Sequence, residues 1–226
     1  MSKRIETQLN KFKYQNQPLN FNIGVLTLTC LCSFLIVIAT FTQFDFKHFI
    51  IPFDFINYLG KNLKDPAVMP HFIKHYRYIP QIPTIMFIVA LLGRRFGIAS
   101  VSIYIAAGLF LAPVFALGGG ISYVFQYGFG YILGYIPAVF FAGSILRSGL
   151  TYRNMAQATL VGVLTIHIIG VLYMLFIATI QQETSSMILG WISAQSGVKI
   201  IYDLLFGFIG MVVAKWVKKL LWVAIG

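Results

Sequence analysis

Charged side chains are scarce in this chain of 226 residues: Asp, Glu, Lys and Arg together make up 10% of it, whereas soluble domains carry about 25%. Hydrophobic residues make up 58%, and the mean hydropathy is +0.82. This composition excludes an ordinary soluble domain. It predicts an integral membrane protein whose main partner is the lipid bilayer.

Acidic residues are rarer than basic ones, since 6 Asp and Glu stand against 17 Lys and Arg, for a formal net charge of +11. A basic protein can bind nucleic acid when its cations cluster on one accessible face. In this chain the cations are scattered between apolar runs. We therefore expect no nucleic-acid partner.

The residue patterns of common catalytic and metal sites are also missing. The two cysteines, Cys30 and Cys32, form a C-x-C pair with no histidine nearby to complete the four ligands of a structural zinc site. No G-x-x-x-x-G-K-S/T sequence occurs, which excludes ATP hydrolysis by a P-loop. We expect no catalytic residues, no metal and no cofactor, and an ATP-driven step would need separate ATPase subunits.

Long uncharged runs predict an all-α, polytopic membrane protein with six transmembrane helices. The run from Ile23 to Phe41 has about the length of one helical crossing. A single membrane domain is expected over 23–226, after an N-terminal tail at 1–22 and with a long outer loop at about 44–80. The predicted crossings are 23–41, 78–93, two within 96–146 on either side of the glycines at 118–120, 155–180 and 198–217.

The positions of the cations predict that both the N- and the C-terminus are cytoplasmic. With the tail inside, most lysines and arginines fall in inner segments and most acids in outer ones, as the positive-inside rule requires. Trp216 and Trp222 flank Lys218 and Lys219, which is typical of an inner membrane interface. We expect a multi-pass protein of the plasma or inner membrane.

Asp203 is the carboxylate that falls inside a membrane-length apolar run, between Lys199 and Lys215. A carboxylate near hydrocarbon usually faces a cavity, a partner charge or a polar ligand. The alternative is an Asp at headgroup depth that pairs with Lys199 four residues earlier. Both interpretations stay open at this stage.

Four tyrosines recur every four residues in the predicted fourth crossing, at positions 123, 127, 131 and 135. This spacing puts them along one helical face, where they form either an aromatic wall beside a ring-shaped ligand or a packing surface. Gly130 and Gly134 form a G-x-x-x-G pair that lets another helix approach closely. His167, in the fifth crossing, has no second titratable group visible at its depth and is interpreted as a hydrogen-bonded packing residue.

The segments PQIPTIMFIVALLG, RRFGIASVSIYIAAGLFLAPVF and GGGISYVFQYGFGYILGY, together with the run Gly130-Tyr131-Ile132-Leu133-Gly134-Tyr135, resemble the BioY family. Its members are the biotin-binding S components of energy-coupling-factor (ECF) vitamin transporters. The resemblance implies six helices, an outward pocket closed by two loops, and an aspartate of the sixth helix that helps to hold biotin. Asp203 matches that aspartate, while Phe206 and Met86 replace a lysine and a glutamine that the family commonly has.

The resemblance also implies partners, namely biotin or a related vitamin, a membrane-embedded coupling subunit and ATPase subunits. The first helix of S components often carries small residues four apart for docking on the coupling subunit. Thr29 and Ser33 are the nearest equivalent in this chain.

The fused urea ring of biotin offers N–H donors that a carboxylate such as Asp203 can accept, and a carbonyl that needs donors. The expected substrate-binding residues are Asp203, Tyr131, Tyr127, Gln126, Ser122, Gln81 and Lys199. Lys199 or Arg77 would pair with the carboxylate of the ligand, but a self-satisfied pair of Lys199 and Asp203 would contribute nothing to binding. The predicted function is uptake of a small vitamin, biotin first; the alternatives are another vitamin, or a membrane enzyme or assembly factor that shares only the architecture.

Overall fold

The computed structural model of the protein describes residues 22–49 and 73–225. Most of these residues are helical, and a two-stranded hairpin joins the first two helices. Short 3-10 segments at Ile121–Phe125 and Leu146–Ser148 precede and follow the helix Phe129–Ile145. The main elements are α1 (Ile23–Phe41), β1 (Phe44–Phe49), β2 (Ile73–Tyr78), α2 (Gln81–Phe110), α3 (Phe129–Ile145), α4 (Tyr152–Ile180), α5 (Ser185–Ser196) and α6 (Lys199–Ile225).

Helix α1 begins where Asn22 caps it: the side chain of Asn22 accepts a hydrogen bond of 2.7 Å from the backbone N–H of Val25. Its buried residues recur every three or four positions and pack against α2. Thr29 and Ser33 belong to this buried face, and the hydroxyl of Ser100 donates to the carbonyl of Thr29 at 2.7 Å. Thr29 and Ser33, the nearest equivalent of the small docking residues of S components, therefore face the interior of the bundle.

Helix α2 folds back on itself at Gly93, whose φ of 76° and ψ of −175° lie in a region that glycine alone adopts easily. A Cβ at Gly97 would lie 3.6 Å from the Cα of Val89, a distance that a straight helix cannot give to residues eight positions apart. The two arms, 81–92 and 94–110, correspond to the second and third predicted crossings. The second prediction began at Tyr78, but Tyr78 ends β2 and the helix begins at Gln81.

The G-x-x-x-G pair packs α3 closely against α4, as predicted. A Cβ at Gly134 would lie 3.0 Å from the Cα of Ile166, and one at Gly130 would lie 2.3 Å from the Cβ of Tyr173. The tyrosine ladder is only partly helical, because α3 begins at Phe129. Tyr123 lies in the preceding 3-10 segment and Tyr127 precedes the helix, so only the later two tyrosines of the series share the helical face.

Within the described ranges, five helical segments have the length and apolar composition to cross a membrane. Helix α5 has 12 residues and no buried side chain, so it contributes little to the core. The membrane-capable segments are Ile23–Phe41, Gln81–Phe110, Phe129–Ser148, Tyr152–Ile180 and Ser185–Leu221.

The ends of the predicted outer loop form an antiparallel hairpin, which the all-α prediction did not include. Phe44 pairs with Tyr78 and Phe49 with Ile73. Strand β2 ends shortly before α2 begins. Strands form here because both segments alternate aromatic with polar residues. The middle of the loop and the predicted tail at 1–22, except Asn22, lie outside the described residues.

Cations at the opposite end of the bundle rest on aromatic rings. The guanidinium of Arg94 lies 4.8 Å from the ring centre of Phe140 and donates to the Ser144 hydroxyl at 3.2 Å. Further along, the ammonium groups of two lysines lie over a tyrosine and a tryptophan. These pairs are Lys215 with Tyr152 at 4.5 Å and Lys219 with Trp216 at 5.3 Å.

Candidate functional site

Asp203 lies one turn into α6 and is fully buried, with no exposed surface. Its carboxylate does not point towards the headgroup region, as the interfacial alternative required, but into the bundle. Three side chains surround its oxygens: the hydroxyl of Tyr78 donates to Oδ1 at 2.8 Å, while His167 and Lys199 contact Oδ2. A buried carboxylate retains its charge only when it is compensated in this way.

Lys199 supplies the compensating charge. Its Nζ lies 2.6 Å from Oδ2 of Asp203, one helical turn away on α6, and 13% of its side chain is exposed. The same ammonium lies 5.6 Å from the ring centre of Tyr78, which adds a favourable cation–π contact. The ion pair of Lys199 and Asp203, predicted as the alternative to a ligand-binding Asp203, is therefore present, but it is part of a larger polar centre.

Tyr78 was not among the predicted site residues. It ends β2, so the hairpin places its hydroxyl on the carboxylate of Asp203. Burial and the negative charge of Asp203 raise the pKa of Tyr78 well above its ordinary value of 10. The phenol therefore stays protonated and acts as a hydrogen-bond donor throughout the physiological pH range.

His167, on α4, connects Asp203 to a chain of hydroxyl groups. Its Nε2 lies 3.0 Å from Oδ2 of Asp203 and its Nδ1 lies 2.9 Å from the Ser196 hydroxyl, which in turn lies 2.6 Å from the hydroxyl of Tyr131. The rings of Tyr131 and His167 also meet edge to face at 5.8 Å. His167 is hydrogen-bonded between helices, as predicted, but the expectation that no second titratable group lies at its depth was wrong, because Asp203 contacts it.

A cluster of aromatic rings covers the polar centre on the side of the hairpin. Phe46 stacks on Tyr202 at 5.1 Å and on Phe206 at 5.9 Å, and Tyr78 contacts Phe206 at 5.5 Å. Below the centre, a Cβ at Gly207 would lie 3.2 Å from the side chain of Met86. Of the two departures from the family pattern, Phe206 thus belongs to the aromatic cluster around Tyr78, and Met86 packs against Gly207, one turn after Asp203 on α6.

Gln81 organises a second buried polar cluster, where α1, α3 and both arms of α2 meet. Its Oε1 accepts from the Tyr135 hydroxyl at 2.9 Å, and its Nε2 donates to the hydroxyls of Thr40 at 2.7 Å and Tyr104 at 3.3 Å. The hydroxyl of Thr40 also lies 3.2 Å from that of Tyr104. All polar atoms of the Gln81 amide group thus have partners, which fixes the orientation of the amide.

Tyr127 lies further out, beside the turn between α4 and α5. Its hydroxyl donates to Glu183 at 2.7 Å and also lies against the Gln181 side-chain oxygen, and its ring contacts Trp191 at 5.5 Å. The hydrogen bond to the Glu183 carboxylate raises the pKa of Tyr127. A small cavity lies against these residues and is lined by Tyr127, Met174, Ala178, Glu183, Met187, Ile188 and Trp191.

The structure brings together three of the predicted residues, Asp203, Lys199 and Tyr131, in one hydrogen-bonded network. Gln81 lies in the neighbouring cluster, while Ser122 and Gln126 are exposed on and just after the 3-10 segment that precedes α3. Tyr78, His167 and Ser196 were missed. The only available signal was that His167 and Asp203 both lie inside apolar runs, and sequence spacing does not show that two helices place them at the same depth.

Across the described parts of the chain, no group of three or more His, Cys, Asp or Glu side chains is arranged to hold a metal ion. Cys30 is exposed and Cys32 is buried, both as free thiols. The centre around Asp203 combines an anion, a cation, an imidazole and hydroxyl groups. Such a set can bind a small polar molecule through several directed hydrogen bonds.

Comparison with known proteins identifies the family. The model of the BioY family matches residues 77–223. A curated relative from Lysinibacillus sphaericus, named probable biotin transporter BioY, is 30% identical over 144 residues, which cover 60% of this chain and 67% of that protein. Together these matches confirm the resemblance seen in the sequence.

A solved structure shares the fold. The crystal structure of the S-component for biotin from an ECF-type ABC transporter superimposes with a TM-score of 0.62 and 21% sequence identity. The match covers 89% of this chain and 95% of the other. With a helical membrane fold of this type and a family match over most of its length, the chain belongs to the BioY family and is a multi-pass membrane transporter subunit, not an enzyme.

Proposed function

We propose that this chain is the substrate-binding S component for uptake of biotin across the cell membrane. The observation that carries the proposal is the fully buried Asp203, which is held by Lys199, His167 and Tyr78. A charged group inside a membrane protein is costly and is retained where it serves a ligand or an ion. The names of the relative and of the solved structure, both of which specify biotin, support the same ligand.

The ligand's urea ring and its carboxylate have different partners in this proposal. Asp203 accepts a hydrogen bond from a urea N–H and remains held by His167 and Tyr78. Lys199 turns from Asp203 to the ligand carboxylate. Lys199 is preferred to Arg77 for this role, because Arg77 lies in an exposed pair with Asp45 at 3.8 Å, where water screens its charge.

The remaining predicted residues surround this position. Tyr131 reaches the centre through Ser196 and His167, and Gln81 offers an amide from the adjacent cluster. Tyr127 supplies an aromatic wall further out, and Ser122 and Gln126 lie at the exposed rim, where they contact the ligand on entry.

The topology that we propose has six crossings with both ends in the cytoplasm. The reversal at Gly93 supports counting the two arms of α2 separately. The gathering of Arg94, Lys215 and Lys219 at the end opposite the hairpin supports a cytoplasmic position for that end. The hairpin and the polar centre then lie on the outer side, where the vitamin enters.

The energy for transport comes from partners in this proposal. The sequence lacks a P-loop, so a membrane-embedded coupling subunit and separate ATPase subunits drive the release of the ligand to the cytoplasm. Co-purification of the tagged chain with such subunits from its own host tests this part of the proposal.

Isothermal titration of the purified protein tests the ligand, with biotin, riboflavin and thiamine in parallel. We expect biotin alone to bind, and Asp203→Asn to weaken binding at least about tenfold, because a hydrogen bond to a charged group is lost. Asp45→Asn is the matched control, since it makes the same chemical change on an exposed residue of β1. Folded protein that binds none of the three, or Asp203→Asn protein with unchanged affinity, contradicts the proposal.

A further inference from the structure

The hydrogen bonds around His167 indicate which of its ring nitrogens carries the proton. Because Oδ2 of Asp203 already accepts from the Lys199 ammonium at 2.6 Å, Nε2 of His167 is assigned as the donor of its hydrogen bond to the same oxygen at 3.0 Å. Nδ1 is then the acceptor of the Ser196 O–H at 2.9 Å, and Ser196 accepts from Tyr131 at 2.6 Å. The charges of the centre sum to zero, with Lys199 positive, Asp203 negative and His167 neutral.

A carboxylate ligand disturbs this balance. When it pairs with Lys199, one cation faces two carboxylates in a region from which Asp203 has no access to solvent and His167 only 3%. An uncompensated charge in such surroundings is strongly unfavourable. The charged or titratable side chains described around His167 are Asp203 and Lys199 on α6, Tyr131 on α3 and Tyr78 on β2, and a proton can be added to His167 alone without breaking the network.

The network already has a place for that proton. A proton on Nδ1 makes this atom a donor to the Ser196 oxygen, and the Ser196 O–H then turns towards the Tyr131 oxygen. Both ring nitrogens of His167 would keep a partner, as an imidazolium requires. Ser196 is partly accessible, so the proton can arrive from solvent along the hydroxyl chain.

We infer that His167 is a proton-binding site coupled to the ligand: the protein takes up one proton from solvent, at Nδ1 of His167, when a monocarboxylate such as biotin binds beside Lys199. No covalent bond to the ligand forms or breaks. The ligand anion and the proton enter together, so the centre stays neutral in both states. This inference rests on the proposed function, because it needs a carboxylate ligand at Lys199.

Isothermal titration of the wild-type protein with biotin, in buffers of different ionisation enthalpy at one slightly alkaline pH, counts the protons exchanged. We expect an uptake of about one proton per biotin, and an affinity that falls up to about tenfold per pH unit above neutrality. Biotin methyl ester, which lacks the charge, serves as the comparison ligand, and its binding is expected to take up no proton. Biotin that binds with no proton uptake overturns the inference but leaves the proposed function standing, whereas absence of biotin binding contradicts the proposed function itself.

The variant His167→Gln tests whether His167 is the residue that takes up the proton. Its amide can donate to Asp203 and accept from Ser196, so the network keeps its connections, but it does not titrate. We expect weaker binding of biotin with no proton uptake, and uptake that persists in this variant overturns the assignment. If His167→Gln does not fold, replacing His48, His71 and His75 leaves His167 as the sole histidine of the four in the chain. Its imidazole nitrogen NMR shifts must then change from neutral to protonated when biotin is added, and unchanged shifts overturn the inference.

Discussion

The side-chain amide of Gln81 lies 3.3 Å from the hydroxyl of Tyr104, although 23 positions separate the two residues within α2. The contact exists because α2 reverses at Gly93. A cluster that joins α1, α3 and both arms of α2 therefore depends on the backbone of one glycine. Gln81 follows Tyr78 by three residues, so this cluster also lies next to the polar centre.

Replacement of Gly93 by alanine should destabilise the fold by about 1–3 kcal/mol, the usual cost of a glycine-only backbone conformation. No atom lies within 4 Å of a Cβ at this position, so the cost arises from the backbone alone. Thermal unfolding in detergent measures it. Gly190→Ala is the control, because a Cβ there also meets nothing within 4 Å and its φ is ordinary; equal effects of the two changes would refute the role of Gly93.

Loss of the Tyr78 hydroxyl should loosen the hairpin from the site. Tyr78→Phe removes the donor to Oδ1 of Asp203, and a hydrogen bond to a charged group contributes about 1.5–3 kcal/mol. We expect a lower free energy of unfolding and weaker biotin binding. Tyr152→Phe is the matched control, because this exposed tyrosine lies at the other end of the bundle; similar losses in both variants would speak against a specific role of Tyr78.

The contribution of Tyr78 should also depend on pH. Burial and Asp203 raise the pKa of Tyr78 above its ordinary value of 10. Below pH 10 the phenol is protonated in both folded and unfolded protein, so its stabilisation is complete; above pH 10 the unfolded chain loses the proton first, which opposes folding. The stability difference between wild type and Tyr78→Phe should be constant near neutral pH and shrink above pH 10, and a difference that grows there would contradict the cause given for the shift.

Lys199→Met should show how much the ligand carboxylate contributes to the binding affinity. The change leaves the buried Asp203 without its cation and removes the partner of the ligand carboxylate, so biotin affinity should fall at least about tenfold. Biotin methyl ester should lose less, because it carries no carboxylate. Lys219→Met, a change on an exposed lysine that lies over Trp216, is the control, and an equal loss for biotin and its ester would argue against pairing with Lys199.

Gly134→Val tests the close contact of α3 with α4. A Cβ at this position meets the backbone of Ile166 at 3.0 Å, and overpacking of this kind costs about 1–3 kcal/mol. Gly190→Val adds the same side chain where a Cβ meets nothing within 4 Å. A melting temperature of the Gly134→Val protein equal to that of the control would show that α3 can move away from α4 at little cost.

The sequence predicted most of the helices because each is a long uncharged run, and Gly130 and Gly134 predicted that another helix packs closely against α3. It did not predict the hairpin, since two six-residue strands separated by a long loop leave no local turn signal. Asp203 stood out because a carboxylate is rare in an apolar run. Its partners His167 and Tyr78 did not, because their contacts join residues 36 and 125 positions apart and depend on how helices pack.

The cation–aromatic pairs at the end opposite the hairpin have a consequence for how deeply the protein sits in its membrane. Arg94, Lys215 and Lys219 each keep their charge beside a ring, an arrangement that prefers the boundary between lipid headgroups and acyl chains. Arg94 lies on α2, whereas Lys215 and Lys219 lie on α6, so the cations mark this boundary on two different helices. In the proposed topology, a tilt that moves one of these cations towards the acyl chains therefore costs free energy.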